Sequence, residues 1–158
     1  MMDDKPLVFR EAEQQDIPGL LEMLADDELG KLREDVSTPV NACYLLAFEQ
    51  IDQDPNNELI VVQNGRQIVG MLQLTFIPYL THKGSWRCLI EGVRIHRAYR
   101  GRGLGTRFFE WAIARAGERG CAIVQLTSDK QRHDALRFYQ SLGFEASHEG
   151  FKLRLSEK

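Results

Sequence analysis

The sequence predicts an α/β protein with a mixed, largely antiparallel sheet that is flanked by helices on both faces. Two strand-like runs around Asn64-Gly65 predict an antiparallel hairpin over 58–77, because this dipeptide favours the tight turns that join hairpin strands. The stretch 90–107 predicts a strand, a glycine-rich turn and the start of a helix. An apolar strand over 122–126 follows that helix, and a strand–helix–strand unit of this length predicts a right-handed parallel crossover.

The first part of the chain is predicted to contain one strand and two helices. Residues 7–10, Leu-Val-Phe-Arg, suit a short strand, and apolar residues at helical spacing predict a helix around 20–24. The stretch 26–35 is crowded with charge and broken by Gly30, so we expect a loop with one helical turn. Apolar spacing predicts a second helix over 39–51, which ends before a turn rich in Asp, Asn and Pro.

The second part of the chain is predicted to complete the sheet. A loop over 78–84 leads into a strand over 86–95, which we expect to pair antiparallel with the hairpin. Glycines end both later helices, which are predicted over 105–118 and about 132–142. A last strand is predicted over 151–155.

Length and composition predict one domain, residues 1–158, large enough to bury a core. The net charge is −3 and no apolar run could span a bilayer, so neither a membrane protein nor a general polyanion binder is expected. The N-terminus has no apolar signal stretch, and three distant cysteines predict no disulfide framework, so we expect a cytoplasmic protein. The histidines and cysteines show no paired ligand spacing, so no metal site is predicted.

The glycine-rich turn carries the clearest signs of a binding site. Gly101, Gly103 and Gly105 alternate there, and their missing Cβ permits positive φ and a close approach to the backbone. Unpaired amides at the start of a helix, with its positive dipole end behind them, bind phosphate or pyrophosphate. The stretch 94–107 also contains five arginines and no acid, which indicates a phosphorylated ligand. The alternative is a tight strand-to-helix connection with solvated arginines.

The spacing of the turn excludes two other phosphate loops. No G-x-x-x-x-G-K-[ST] stretch is present, and Thr106 and Phe108 prevent a match to G-x-G-x-x-G. The stretch Arg100-Gly101-Arg102-Gly103-Leu104-Gly105 instead matches Q/R-x-x-G-x-G/A, and here the chain resembles the GCN5-related N-acetyltransferases. The resemblance implies their acyl-CoA N-acyltransferase fold, with acetyl-CoA as cosubstrate and no metal.

The resemblance implies two groups of contacts with acetyl-CoA. The strand before the turn would hydrogen-bond the pantetheine arm through the backbone of Val93, Arg94 and Ile95. The contacts with the pyrophosphate would fall on the loop residues Arg100, Gly101, Arg102, Gly103, Leu104, Gly105 and Thr106. Many relatives have asparagine where this chain has Arg132, and an arginine there could reach the phosphates of the cofactor.

A second stretch, 134–144, resembles the A-x-x-F/L-Y-x-x-x-G-F segment of the same family. The resemblance implies that its tyrosine, Tyr139, is the general acid towards the sulfur of coenzyme A. The alternative is an aromatic side chain that packs beside Phe138 and Phe144. With both matches in the expected order, the resemblance extends over nearly the whole chain.

Acetyl transfer also needs a neutral amine, and Glu91 is the candidate base. Glu91 precedes Val93 by two residues, so strand alternation predicts that the two share a face of the sheet. Its carboxylate could deprotonate an amine directly or through water. The alternative is a carboxylate that is paired with Arg94 or with a neighbour of Trp86, or that is solvated. Gly92 fits a bulge, at the point where the family's strand opens to admit the pantetheine arm.

We therefore expect an N-acetyltransferase that transfers the acetyl group of acetyl-CoA directly to a primary amine. Acidic residues over 26–35 and 49–58 favour a cationic amine if they form an acidic entrance, or else are a solvated charged rim. The second hypothesis is a non-catalytic acyl-CoA-binding or sensing module, which would keep the glycines without needing Tyr139. A nucleic-acid partner is not expected, because the chain is acidic and has no recognition motif. The resemblance implies that a homodimer is possible.

Overall fold

The computed structural model describes residues 5–156, and the sheet in that part of the chain has five strands in sequence order. The strands are β1 (Leu7–Glu11), β2 (Asn57–Asn64), β3 (Gln67–Pro78), β4 (Trp86–Ile95) and β5 (Cys121–Gln125). Strands β1 to β4 are antiparallel to their neighbours, and β5 runs parallel to β4. The prediction of a mixed, largely antiparallel sheet is confirmed.

Among the described residues, four helices of 9 to 15 residues and two of four residues accompany the sheet. The helices are α1 (Ile17–Ala25), α2 (Glu28–Lys31), α3 (Ala42–Gln53), α4 (Thr81–Gly84), α5 (Leu104–Glu118) and α6 (His133–Ser141). Helix α4 is a single turn that contains left-handed residues, and short 3-10 turns precede α1 and α5. No helix in the described part of the chain is both long and apolar enough to cross a membrane.

The helices cover both faces of the sheet. On one face, Phe108 and Phe109 of α5 are at most 1% exposed and belong to the same buried cluster as Leu72 of β3. On the other face, Leu20 of α1 belongs to a second cluster with Met71 of β3. Because Met71 and Leu72 are consecutive, they point to opposite faces, and this fixes which side each helix occupies.

The predicted last strand is wrong. Residues 145–156 have no regular secondary structure and are exposed throughout. The sequence has the alternation of a strand over 151–155, but a strand also needs a neighbour whose backbone groups pair with its own. Within the described residues, nothing pairs with this segment.

Strands β4 and β5 separate halfway along β4. The parallel ladder joins Trp86–Leu89 to Cys121–Gln125, and none of the described residues pairs with Ile90–Ile95 on this side. We call the resulting gap beside Ile90–Ile95 the cleft. The glycine-rich turn follows the end of β4 after the single 3-10 turn Arg97–Tyr99.

Candidate functional site

The glycine-rich turn presents backbone amides at the start of α5. Gly101 and Gly103 have φ angles of +73° and +80°, and a Cβ on either would meet no atom within 4 Å. Glycine adopts these left-handed backbone angles without strain, and the space beside both residues is open. No side chain caps α5, whose first turn is closed by a hydrogen bond of 3.2 Å from the amide of Arg107 to the carbonyl of Gly103.

The predicted loop residues divide into an exposed and a packed set. Residues 100–103 are exposed, so their backbone is accessible. Leu104 is only 4% exposed and anchors the turn in the main core. Gly105 and Thr106 are half-buried, and a Cβ on Gly105 would lie 3.4 Å from the ring of Phe138. Gly105 thus permits α5 to pack closely against α6, while the four amides from Gly103 to Thr106 have no acceptor within the helix.

The edge of β4 that faces the cleft carries two carbonyls already bound by arginines. Arg94 donates from Nη1 to the carbonyl of Val93 over 2.8 Å, and Arg100 donates from Nε to the carbonyl of Ile95 over 2.9 Å. A carbonyl oxygen has two lone pairs, so each can still accept a second hydrogen bond. The residues predicted to contact the pantetheine arm, Val93 to Ile95, therefore border the cleft. Two of their carbonyls already accept one hydrogen bond each from an arginine side chain.

A bulge at Gly92 changes the face on which Glu91 lies. Gln73 of β3 is opposite Glu91 and Met71 is opposite Arg94, so Leu72 alone faces the two residues Gly92 and Val93. Gly92 has φ +61°, which confirms the predicted bulge. Paired residues share a face, so Glu91 lies with Arg94 on the α1 side. The prediction that Glu91 and Val93 share a face is wrong, because the extra residue breaks the alternation.

The carboxylate of Glu91 is exposed, and no hydrogen bond or ion pair joins it to another residue of 5–156. The alternative in which Glu91 pairs with Arg94 is not what the structure shows, because Arg94 is directed to Asp27 and to the carbonyl of Val93. Glu91 is thus free to accept a proton from a molecule in the cleft.

Tyr139 lies on α6, packed among aromatic rings. Its ring is 5.5 Å from the ring of Phe109 and 6.1 Å from that of Phe144, centre to centre. Burial raises the pKa of its hydroxyl, and the opposing charges of Arg132 and Arg94 do not cancel this. The packing and the catalytic interpretations are therefore compatible, because a half-buried phenol that stays protonated can donate a proton.

Two arginines from opposite sides of the cleft meet at Asp27. Arg132, which precedes α6, donates to Oδ2 of Asp27 over 2.7 Å, and Nε of Arg94 lies 3.7 Å from the same oxygen. The side chain of Arg94 is 13% exposed, and its buried Nε has no hydrogen-bond partner. Burial, followed by the charge of Arg132, lowers the pKa of Arg94.

Asp27 remains charged in this setting. Burial alone would raise the pKa of its carboxyl. The amide of Gly30, which donates over 2.5 Å, and the two arginines outweigh burial, so the pKa is below its usual value. Asp26 beside it lies 3.5 Å from Arg100 and 3.9 Å from Arg97. Both acids are therefore paired with arginines, so these two residues of the stretch 26–35 add no free negative charge at the cleft.

The sequence analysis placed Asp26 and Asp27 only at a possible acidic entrance and did not pair them with arginines of the site. No local signal could pair Asp27 with Arg132, because they are far apart in the chain and come together only when α1 packs on the sheet. Across the described range 5–156, no group of three or more His, Cys, Asp or Glu side chains could hold a metal ion.

Comparison with known proteins places this geometry in a family. The model of the acetyltransferase (GNAT) family matches residues 20–144. The aminoalkylphosphonate N-acetyltransferase of Salmonella typhimurium is 29% identical over 95 residues, which are 60% of this chain and 61% of that protein. The chain thus matches less than two thirds of the length of this curated relative.

Solved structures have the same fold. A protein described as a transcriptional regulator from Bacillus halodurans C-125 is 57% identical, with a TM-score of 0.92 over 95% of this chain and 100% of that one. An acetyltransferase from Trypanosoma brucei is 28% identical, with a TM-score of 0.74 over 95% of this chain and 100% of that one.

Proposed function

Because the chain belongs to the acetyltransferase (GNAT) family, we propose that it transfers the acetyl group of acetyl-CoA directly to a primary amine. The observation that carries the proposal is the cleft beside Ile90–Ile95, which has open helix-terminal amides at one end and the protonated phenol of Tyr139 beside it. The aminoalkylphosphonate N-acetyltransferase relative supports the same type of reaction.

The residues present fit acetyl-CoA. The exposed turn of residues 100–103 and the free amides from Gly103 to Thr106 suit a pyrophosphate, because both the amides and the helix dipole favour negative charge. Val93, Arg94 and Ile95 border the cleft where a pantetheine arm would lie. Arg132 is a further donor for anionic groups, since its side chain is 35% exposed. When bound, acetyl-CoA supplies the acetyl group as an activated thioester.

Glu91 and Tyr139 divide the proton transfers between them. Glu91 is exposed on the α1 side of β4 and takes the proton that the amine loses, directly or through water. Tyr139 is packed with Phe109 of α5 and gives a proton to the departing sulfur. The two groups approach the cleft from different faces of the sheet, so one serves the acceptor and the other the leaving group.

Direct transfer is supported by the state of the cysteines. Cys88 is fully buried, and burial raises its pKa to about 12. Burial also raises the pKa of Cys121. A thiol is a nucleophile only when it is ionised, so neither suits an acetyl-enzyme intermediate. Cys43 is exposed on α3, outside the cleft.

We propose further that the amine also carries an anionic group. Arg94 shares the α1 side of β4 with Glu91, so an acceptor whose nitrogen meets Glu91 could place a carboxylate or phosphonate at Arg94. Asp26 and Asp27 are paired with arginines, so these two acids do not favour a polyamine. The named substrate class of the Salmonella relative, an aminoalkylphosphonate, agrees with this proposal.

Calorimetric titration with acetyl-CoA tests the binding step. Gly103→Glu should weaken binding about tenfold or more, because a carboxylate then occupies the anion site. Gly103→Asn is the matched control, since asparagine tolerates the left-handed conformation without adding charge. If the folded wild-type protein binds neither acetyl-CoA nor coenzyme A, the proposed function is wrong.

Release of free thiol from acetyl-CoA, measured with a panel of amines, tests the reaction. The panel compares an aminoalkylphosphonate, an amino acid, an amino sugar and a polyamine. Tyr139→Phe should lower kcat about 100-fold or more with little change in the Kd of acetyl-CoA, whereas Tyr79→Phe should leave kcat unchanged. Activity with the polyamine alone would contradict the anionic acceptor and leave acetyl transfer intact.

A second candidate is a non-catalytic acyl-CoA sensor. The relative from Bacillus halodurans, at 57% identity, is described as a transcriptional regulator, and that description favours a sensing role. This role predicts tight acetyl-CoA binding, no turnover with any amine of the panel, and no effect of Tyr139→Phe.

A further inference from the structure

A row of polar side chains lies beside Glu91 on the α1 side of the sheet. Gln73 of β3 is paired with Glu91 of β4, and Thr75 of β3 is paired with Asn57 of β2. Paired residues share a face, and their Cβ atoms lie about 4.5–5.5 Å apart. Gln73 is half-buried, because on its other side it is paired with Leu59, which packs against the second core cluster. Gln73 therefore stands at the border between that cluster and the exposed carboxylate of Glu91.

A chain of hydrogen bonds fixes which way the side-chain amide of Gln73 points. Asn57 donates from Nδ2 to Oδ2 of Asp54 over 2.7 Å. An ionised carboxylate only accepts hydrogen bonds, so Asn57 must present its NH₂ group to Asp54 and its Oδ1 to the other side. That Oδ1 accepts from Nε2 of Gln73 over 3.1 Å and from Oγ1 of Thr75 over 2.9 Å. Because Gln73 has to donate there, its Oε1 is the atom left over, and none of the residues 5–156 donates a hydrogen bond to it.

We propose that Oε1 of Gln73 accepts an N–H of the acceptor amine and orients the nitrogen together with Glu91. The inference rests on the proposed function, in which Glu91 is the base. An ammonium group that gives one proton to Glu91 becomes a neutral amine with two N–H groups and one lone pair. Gln73 accepts one N–H, and the second oxygen of Glu91 accepts the other. The lone pair then points away from both residues and is free to attack the thioester carbon.

This arrangement selects primary amines. As the N–C bond forms and the C–S bond breaks, the sulfur takes its proton from Tyr139, and the nitrogen loses a second proton to solvent. A neutral secondary amine enters this step with a single N–H, so it can serve only one of the two acceptors, Gln73 or Glu91. A site that is built to hydrogen-bond a hydrogen of its substrate discriminates against an analogue that lacks this hydrogen, because the acceptor is left unpaired.

Steady-state kinetics of Gln73→Met tests the role of Gln73. Methionine keeps the length of the side chain and removes the free oxygen, so kcat should fall roughly three- to tenfold with little change in the Kd of acetyl-CoA. Thr75→Val is the matched control, because it also removes one donor to Oδ1 of Asn57 but leaves Gln73 in place. Its kcat should be unchanged. Circular dichroism verifies that both variants are folded. Equal losses of kcat in the two variants, or no loss in Gln73→Met, would overturn the proposal.

Comparison of a primary amine with its N-methyl derivative provides the second test. The probes are 2-aminoethylphosphonate and N-methyl-2-aminoethylphosphonate, or the same pair built on whichever amine of the panel reacts fastest. Wild type should prefer the primary amine in kcat/KM, and Gln73→Met should narrow this preference roughly three- to tenfold, which a purely structural role would not do. An unchanged preference would overturn the role of Gln73 and leave acetyl transfer intact. Binding of acetyl-CoA without turnover of any primary amine would overturn the proposed function, and the role of Gln73 with it.

Discussion

Arg132 donates a hydrogen bond of 2.7 Å to Asp27, and this pair ties the start of α6 to the start of α2. Arg94 of β4 approaches the same carboxylate to 3.7 Å. Asp27 therefore places a negative charge between two arginines that border the cleft. An anionic ligand that uses either arginine must compete with Asp27 for it.

Asp27→Asn should strengthen the binding of an anionic ligand. The substitution removes the competing charge, and the Arg132 pair is partly exposed, so the gain should be roughly 0.2–1 kcal/mol, up to about fivefold in Kd. Asparagine also caps helices well, so the hydrogen bond to the amide of Gly30 should survive. Calorimetric titration with acetyl-CoA and with an anionic acceptor measures the effect.

The double variant Asp27→Asn/Arg132→Gln is the control for this prediction. If Asp27 acts by occupying Arg132, removing Arg132 should abolish the gain. Weaker binding by Asp27→Asn alone would instead mean that the carboxylate holds Arg132 in its working position.

Tyr139 should be one of the last tyrosines of the chain to ionise. Burial raises the pKa of its hydroxyl above the usual value of 10, while Arg132 and Arg94 partly oppose this. The phenol is therefore protonated at neutral pH and should lose its proton only above pH 10. The difference in ultraviolet absorbance between wild type and Tyr139→Phe during alkaline titration measures this step. A tyrosine that ionises below pH 9 in that difference would contradict its environment and its role as an acid.

The Arg10–Asp16 pair should make the free energy of unfolding fall as the pH becomes acidic. Burial would raise the pKa of Asp16, but hydrogen bonds from Arg10 and from the amide of Glu13 lower it overall. Because the folded pKa is the lower one, the pair stabilises the protein above about pH 4 and ceases to do so as the pH falls through the folded value.

Urea unfolding at pH 7 and pH 3 measures this dependence in wild type and in Asp16→Asn. At pH 7 the variant should be less stable by roughly 0.5–1 kcal/mol, because Arg10 is partly exposed. At pH 3 the difference should shrink. A difference that grows on acidification would show that the carboxylate of Asp16 is not the group involved.

The elements of the fold were predictable because each has its own local signal. The Asn64-Gly65 dipeptide indicated the hairpin, whose two turn residues are Gly65 and Arg66, and apolar spacing predicted the four longer helices α1, α3, α5 and α6 to within three residues at each end. The segment over 151–155 has an equally good strand pattern and forms no strand. Pairing depends on what lies beside a segment in space, and alternation within that segment carries no information about its neighbour.

The candidate site was predictable where it rests on contiguous sequence. The open conformation of Gly101 and Gly103 follows from the glycines themselves. The face of Glu91 was missed because one extra residue, at the Gly92 bulge, reverses the alternation of everything before it. The role of Asp27 was missed because its partners come from β4 and from the start of α6, which the sequence does not show to be close.

Glu58 should be a main electrostatic anchor between β2 and α5. Its carboxylate is 6% exposed and binds Arg115 on α5, and it also lies 3.4 Å from Nη1 of Arg119. Glu58→Ala leaves both guanidinium groups without this partner, so the free energy of unfolding should fall by about 1–3 kcal/mol. Glu118→Ala is the matched control: Glu118 binds Arg115 from an exposed position, so its loss should cost about 1 kcal/mol or less. Chemical denaturation of both variants measures the difference, and equal losses would mean that the burial of Glu58 adds nothing to its ion pairs.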